Sequence, residues 1–353
     1  MSDALTAQQQ AQQAVFSPDL SVPLTFGNDG AARQAAEAGV AVCDRSHWGR
    51  IRVGDRDRLR FLHNQTTNQI QQLQPGQGCE TVFVTSTGRT LDLATALITE
   101  DAVLLLVSPG QAQPRIEWMD RYIFFADKVS LRDETAETAA LTLLGPQTFD
   151  WLATLGAPHL ATVAAGSHET LAIADIPCRV VVGSGLVTPG VTILLPRTEA
   201  AMLWAALVNH GAVPLGDRVW EQLRIEQGRP MPGAELTEDY NPLEAGLWHT
   251  ISFSKGCYIG QETIARLNTY QGVKQQLWGL RLSAPAAVGE PLMLDGNNVG
   301  RLTSVVETPD GLRGLGYVRT KAGGAGLSVS VGDAIATVLP IPFASRGYLE
   351  LGQ

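Results

Sequence analysis

The chain has 353 residues, with 26 Lys and Arg against 35 Asp and Glu, a formal net charge of −9, 44% hydrophobic and 17% charged residues. That length and balance suit two or three packed domains. The negative charge argues against a general binder of phosphate backbones. There is no apolar run of about 18 residues and no basic stretch leading into an apolar one near Met1. No membrane partner and no nucleic acid are therefore expected, and the expected location is cytoplasmic.

The first 20 residues are polar and Gln-rich and read as a tail or a frayed helix. Ile51 and Val53 mark a strand that turns at Gly54-Asp55. Leu59, Leu62, Thr66 and Ile70 then fall at helical spacing. Two strand-like runs flank Ser86-Thr87-Gly88 as a hairpin, and residues 102–109 read as a buried strand. A helix over 114–123 and a strand over 128–132 complete a first α+β lobe, residues 21–135. Residues 136–216 repeat the alternation: a strand, a helix after Pro146, two strands, and a helix closed by Gly211. Residues 217–273 form a connection with a helix over 217–227 that stops at Gly228-Arg229-Pro230, followed by a long loop of the kind that wraps ligands. From Lys274 onward five short strand runs, separated by Gly, Pro and Asn, read as a small barrel or sandwich over 274–353.

Four cysteines are present, Cys43, Cys79, Cys178 and Cys257. None lies in a C-x-x-C pair or at zinc-ligand spacing with His, so neither a disulfide framework nor a metal site is expected. His47, His63 and His249 share no metal spacing. Cys257 stands apart. It sits between Gly256 and Gly260, just ahead of a helix expected to run from about Gly260 to Gly272, with Lys255 and Arg266 nearby. A helix N-terminus and adjacent cations both favour a thiolate. A small residue filling a tight turn would fit the same position.

The stretch KGCYIGQETIAR matches every position of K-G-C-[FY]-x-G-Q-E and resembles the signature of the YgfZ family of folate-binding proteins. That family is similar in fold to the T-protein of the glycine cleavage system, a tetrahydrofolate-dependent aminomethyltransferase. The resemblance implies an α+β fold with two α/β lobes around a central folate pocket and a C-terminal all-β barrel. It implies tetrahydrofolate, or a one-carbon derivative, as ligand. It also implies iron–sulfur proteins or their assembly machinery as partners, and Cys257 as the functional centre.

Leu223 to Gly228 resembles the R-x-E-x-G of both families, and makes Glu226 the candidate acceptor for the N–H edge of a pterin, with Arg224 as a loop-holding residue. Gly88 to Leu93 resembles the T-protein's G-G-x-x-D-D. Asp92 matches the first acid, while Leu93 replaces the second, a departure that counts against aminomethyl transfer. Tyr240 and Trp248 are candidate stacking surfaces. Lys255 or Arg266 could meet the glutamate tail of a folate, and Arg266 could instead pair with Glu262. The expectation is a folate-binding accessory protein without classical turnover. The alternatives are a tetrahydrofolate-dependent aminomethyltransferase or demethylase, and a degenerate module that has lost its folate.

Overall fold

The computed structural model describes residues 4–18 and 21–352. It has the expected class: mixed α/β with a closed six-stranded barrel at the C-terminal side. The chain divides into two compact units, Met1–Phe61 with Ile70–Glu80 and Ala94–Trp220, and Leu62–Gln69 with Thr81–Leu93 and Glu221–Gln353.

The first unit holds a six-stranded sheet in the order His168–Ile173, Ile176–Val182, Gly190–Pro196, Thr138–Leu144, Ala41–Asp44, Val213–Leu215. Ala41–Asp44 runs antiparallel to Thr138–Leu144 and parallel to Val213–Leu215. Ala41–Asp44, a strand not singled out in the sequence, thus lies inside the sheet built mostly from residues 136–216, and local alternation alone does not carry that long-range register. One face of this sheet packs Val42, Leu141, Leu143, Val180 and Ile193 against the helix Ala200–Asn209 through Leu203, Trp204 and Leu207. Each such buried side chain contributes roughly 1.5–3 kcal/mol. Ala4–Ala11, expected as a tail or a frayed helix, is a helix whose Leu5 joins this core and whose Gln9 amide donates to Asp44 Oδ2 at 2.8 Å.

A five-stranded sheet follows the order Gly78–Val84, Thr90–Ile98, Ala102–Val107, Gly49–Gly54, Ser130–Asp133. In the first unit the Arg45 guanidinium is sandwiched between the Trp48 and Trp220 rings, at 3.7 and 3.4 Å from their centroids. His47 Nε2 lies 3.8 Å from Asp217 Oδ1. Burial, then the charges of Arg45 and Arg50, push the His47 pKa down to about 3.

The barrel in the second unit closes in the order Gln275–Leu282, Gly311–Arg319, Asn297–Thr308, Pro291–Leu294, Ser328–Val331, Ala334–Leu339. Leu280, Leu282, Leu292, Leu302, Val318, Val331 and Val338 share its core. The sixth strand, Ser328–Val331, is absent from the sequence reading. It is four residues long, and only Val329 and Val331 are buried, too short a period-2 signal to stand out.

Candidate functional site

The expected helix through Leu59, Leu62, Thr66 and Ile70 is shorter, Arg58–Gln65. Thr66 still donates its N–H and its hydroxyl to Leu62 O, but Thr67 N–H turns to Val82 O at 3.2 Å. The chain peels away because the strand Gly78–Val84 offers its backbone partners there.

The loop that carries Cys257 is sewn onto this helix end. Lys255 Nζ donates to the carbonyls of His63, Thr66 and Asn68 at 2.5, 2.7 and 2.7 Å. Its ammonium also lies 4.8 Å from the Tyr258 ring centroid. Three acceptors match the three N–H groups of an ammonium, and the first of them is a last-turn carbonyl at the negative end of a helix. On either side, Ser252 N–H donates to Thr67 O and Ile259 N–H to Asn64 O, each at 3.0 Å. Thr67 Oγ1 donates to Thr250 O at 2.8 Å. Lys255, offered together with Arg266 for the glutamate tail of a folate, is instead buried with its ammonium held by these carbonyls.

Cys257 sits between these anchors and is exposed. Cys43 and Cys178 are buried and Cys79 is partly buried. Burial pushes the Cys178 thiol up to about 11 and Cys43 higher still. The helix after Cys257 is Gln261–Thr269, ending short of the expected Gly272, and its N-cap Gly260 has φ 81°. A Cβ on Gly260 would lie 2.6 Å from Thr85 O and 2.9 Å from Gly88 Cα, so the helix start is pressed against the 85–88 turn. A Cβ on Gly256 would lie 3.8 Å from His63 Nε2, and burial followed by the Lys255 charge holds the His63 imidazole below its usual range.

The same turn leads to Asp92, which is fully buried on the strand Thr90–Ile98. Two residues earlier, Thr90 N–H and Oγ1 both donate to Tyr240 O, at 2.8 and 3.2 Å. The Tyr240 ring stacks on Tyr317 with centroids 3.5 Å apart and planes 12° from parallel. Arg89 Nη1 donates to Asp239 O at 2.9 Å and lies 3.9 Å from Glu244 Oε2. Burial raises the Glu244 carboxyl above its usual range and raises Tyr240 as well. The strand bearing Asp92 and the loop bearing Tyr240 and Glu244 are thus fastened together.

Glu226 is half-buried near the end of the helix Asp217–Gln227. Arg224 is committed to structure. Its guanidinium donates to Glu221 Oε2 and Oε1 at 2.7 and 2.6 Å, to Glu235 Oε2 at 3.1 Å and to Arg229 O at 2.9 Å. Glu235 in turn accepts from Thr303 and Ser304 hydroxyls at 2.7 and 2.6 Å, and its carbonyl accepts from Tyr317 O–H at 2.7 Å. Trp248 is enclosed: its indole N–H donates to Leu243 O, its ring meets Tyr348 edge-on, and a Cβ on Gly347 would lie 2.3 Å from it. That packing makes Trp248 part of the core rather than an open stacking face. Arg266 is exposed on its helix.

Sequence reasoning missed Glu235, Glu244 and Tyr317. The two carboxylates lie in the long loop, where the only signal was an acid flanked by small or apolar residues, Ala234-Glu235-Leu236 and Leu243-Glu244-Ala245. Among the described residues no cluster of three or more His, Cys, Asp or Glu could hold a metal ion.

Residues 5–255 match the family profile described as the GCVT N-terminal domain. The chain is 46% identical over 325 residues to "Putative transferase At1g60990, chloroplastic" of Arabidopsis thaliana, covering 91% of this chain and 75% of that one. It is 27% identical to an aminomethyltransferase of Halalkalibacterium halodurans, covering 93% of each. Among solved structures, the glycine cleavage system aminomethyltransferase T from Bartonella henselae superposes with a TM-score of 0.84 at 22% identity, over 97% of this chain and 98% of that one.

Proposed function

We propose, from the premise that the chain belongs to the GCVT N-terminal domain family, that it binds tetrahydrofolate or a one-carbon derivative and works through Cys257. In this reading it is an accessory protein in the assembly or repair of iron–sulfur proteins, without classical turnover, and acts in the cytoplasm. The observation that carries the reading is an exposed thiol on a loop anchored at both flanks. A loop that merely fills space has no reason to hold a cysteine outward in this way.

The residues available suit a pterin. Its ring edge presents N–H donors, which a carboxylate accepts in pairs. The half-buried Glu226 is the acceptor in this proposal, with buried Asp92 as a second contact and Tyr240 as a flanking ring. Bound tetrahydrofolate would supply one-carbon chemistry. The protein's own residues would orient the ring and present the thiol beside it or to a partner. Arg266 is the cation assigned to the glutamate tail.

The second reading is aminomethyl transfer. A relative carrying the name aminomethyltransferase over 93% of this chain favours it. Against it stands Leu93 in place of a second acid. Cys257→Ser separates the two. The accessory reading expects this variant to lose support of iron–sulfur enzyme activity in cells depleted of the protein, while keeping its affinity for tetrahydrofolate. Full support by the variant, together with methylene transfer from an aminomethyl donor, would establish the second reading. Failure of millimolar tetrahydrofolate to raise the melting temperature would remove folate from both.

A further inference from the structure

The signature lysine has its three N–H groups directed at backbone carbonyls 187 to 192 residues away in sequence. It is buried, and its neighbours Ser252 and Ile259 bond to the same segment on either side. We infer that Lys255 is the positioning residue of Cys257: its ammonium pins the cysteine loop to the end of the helix Arg58–Gln65 and takes no part in holding a ligand. This inference rests on the reading that Cys257 is the working group.

An ammonium has three donors and no acceptor. Donating all of them at 2.5–2.7 Å to three carbonyls leaves none directed at an incoming carboxylate. The three carbonyls come from His63, at a helix end, and from Thr66 and Asn68 just beyond it, so a single side chain ties a helix end to an irregular loop. Such carbonyls need a donor when buried. Cys257 lies two residues from this clamp and two from the Ile259–Asn64 bond, which leaves the loop little freedom to move the thiol.

The test uses the full-length chain with Lys255→Met and Lys255→Arg. It compares amide hydrogen exchange at Ser252 and Ile259, affinity for 5-formyltetrahydrofolate, and support of iron–sulfur enzyme activity. Lys255→Met should raise exchange at both amides at least tenfold and cut support at least tenfold, while changing affinity for 5-formyltetrahydrofolate by less than twofold. Lys255→Arg, which keeps several donors, should recover part of both the protection and the support. A tenfold loss of affinity with amide protection intact would overturn the inference and make Lys255 a ligand-binding residue. Unchanged protection with unchanged support would overturn it too. If Lys255→Met does not fold, Lys255→Gln takes its place; failure of both to fold would assign Lys255 to the stability of the whole unit instead. Full support by Cys257→Ser, alongside lost amide protection in Lys255→Met, would strike the reading of Cys257 and leave the clamp itself standing.

Discussion

Gly260 and Gly88 meet backbone to backbone: a Cβ built on Gly260 would lie 2.9 Å from Gly88 Cα and 2.6 Å from Thr85 O. Gly260 also has φ 81°, a left-handed conformation that costs any residue with a Cβ. This contact joins the helix start after Cys257 to the turn that leads into Asp92. Gly260→Ala should cost about 1–3 kcal/mol from backbone conformation alone, before the clash is counted. Urea denaturation measures this. Under the proposed function, support of iron–sulfur enzymes should fall with it, although the thiol itself is untouched.

Arg224 is buried between two acids of different standing. Glu235 is fully buried, whereas the Glu221 side chain is 43% exposed. Removing the buried partner strands a charge, which typically costs about 3–5 kcal/mol; removing an exposed one costs about 0–1 kcal/mol. Glu235→Ala should therefore lower the melting temperature far more than Glu221→Ala. Equal effects would show that Arg224 draws its support mainly from Glu221.

His47 fixes the sign of one acid transition. Its pKa is about 3 in the folded protein against 6.5 for a free imidazole. Between these values the unfolded chain holds a proton that the folded chain does not, so stability rises with pH. Stability should fall as pH drops below 6.5, by up to about 1.4 kcal/mol per pH unit from this group, and the loss should end near pH 3. His47→Gln should flatten that limb in denaturation curves taken between pH 6.5 and 4.

The four thiols should separate by rate. Cys257 is exposed, Cys79 partly buried, and Cys43 and Cys178 buried. Iodoacetamide on the native protein, with peptide mapping, should alkylate Cys257 first and Cys79 more slowly. Cys43 and Cys178 should react only after unfolding. Early labelling of Cys178 would show that its strand opens locally.

The recurring short strand runs from Lys274 point to a barrel or a sandwich, and the resemblance to a barrel, which is what the strands form; the cysteine loop stands out because eight consecutive residues, Lys255 to Glu262, carry the resemblance. The sequence does not show why Lys255 is there. The partners are carbonyls, which every residue has, and they lie far back in the chain. For the same reason the helix after Arg58 is read too long: Thr66 and Ile70 keep the apolar period, but Thr67 has a better backbone partner in Val82. Trp248 shows the opposite failure. Its residue type suits a stacking surface, and only the approach of Gly347 shows that the ring is enclosed.

The second unit draws on three stretches of chain, Leu62–Gln69, Thr81–Leu93 and Glu221–Gln353. At about 5–20 residues per second on a ribosome, the carbonyls of His63, Thr66 and Asn68 precede their lysine by on the order of ten seconds or more. The nascent polypeptide thus presents a helix end lacking its cation for much of its synthesis. A chain truncated anywhere between Asn68 and Lys255 leaves that helix end without the ammonium that its carbonyls accept from.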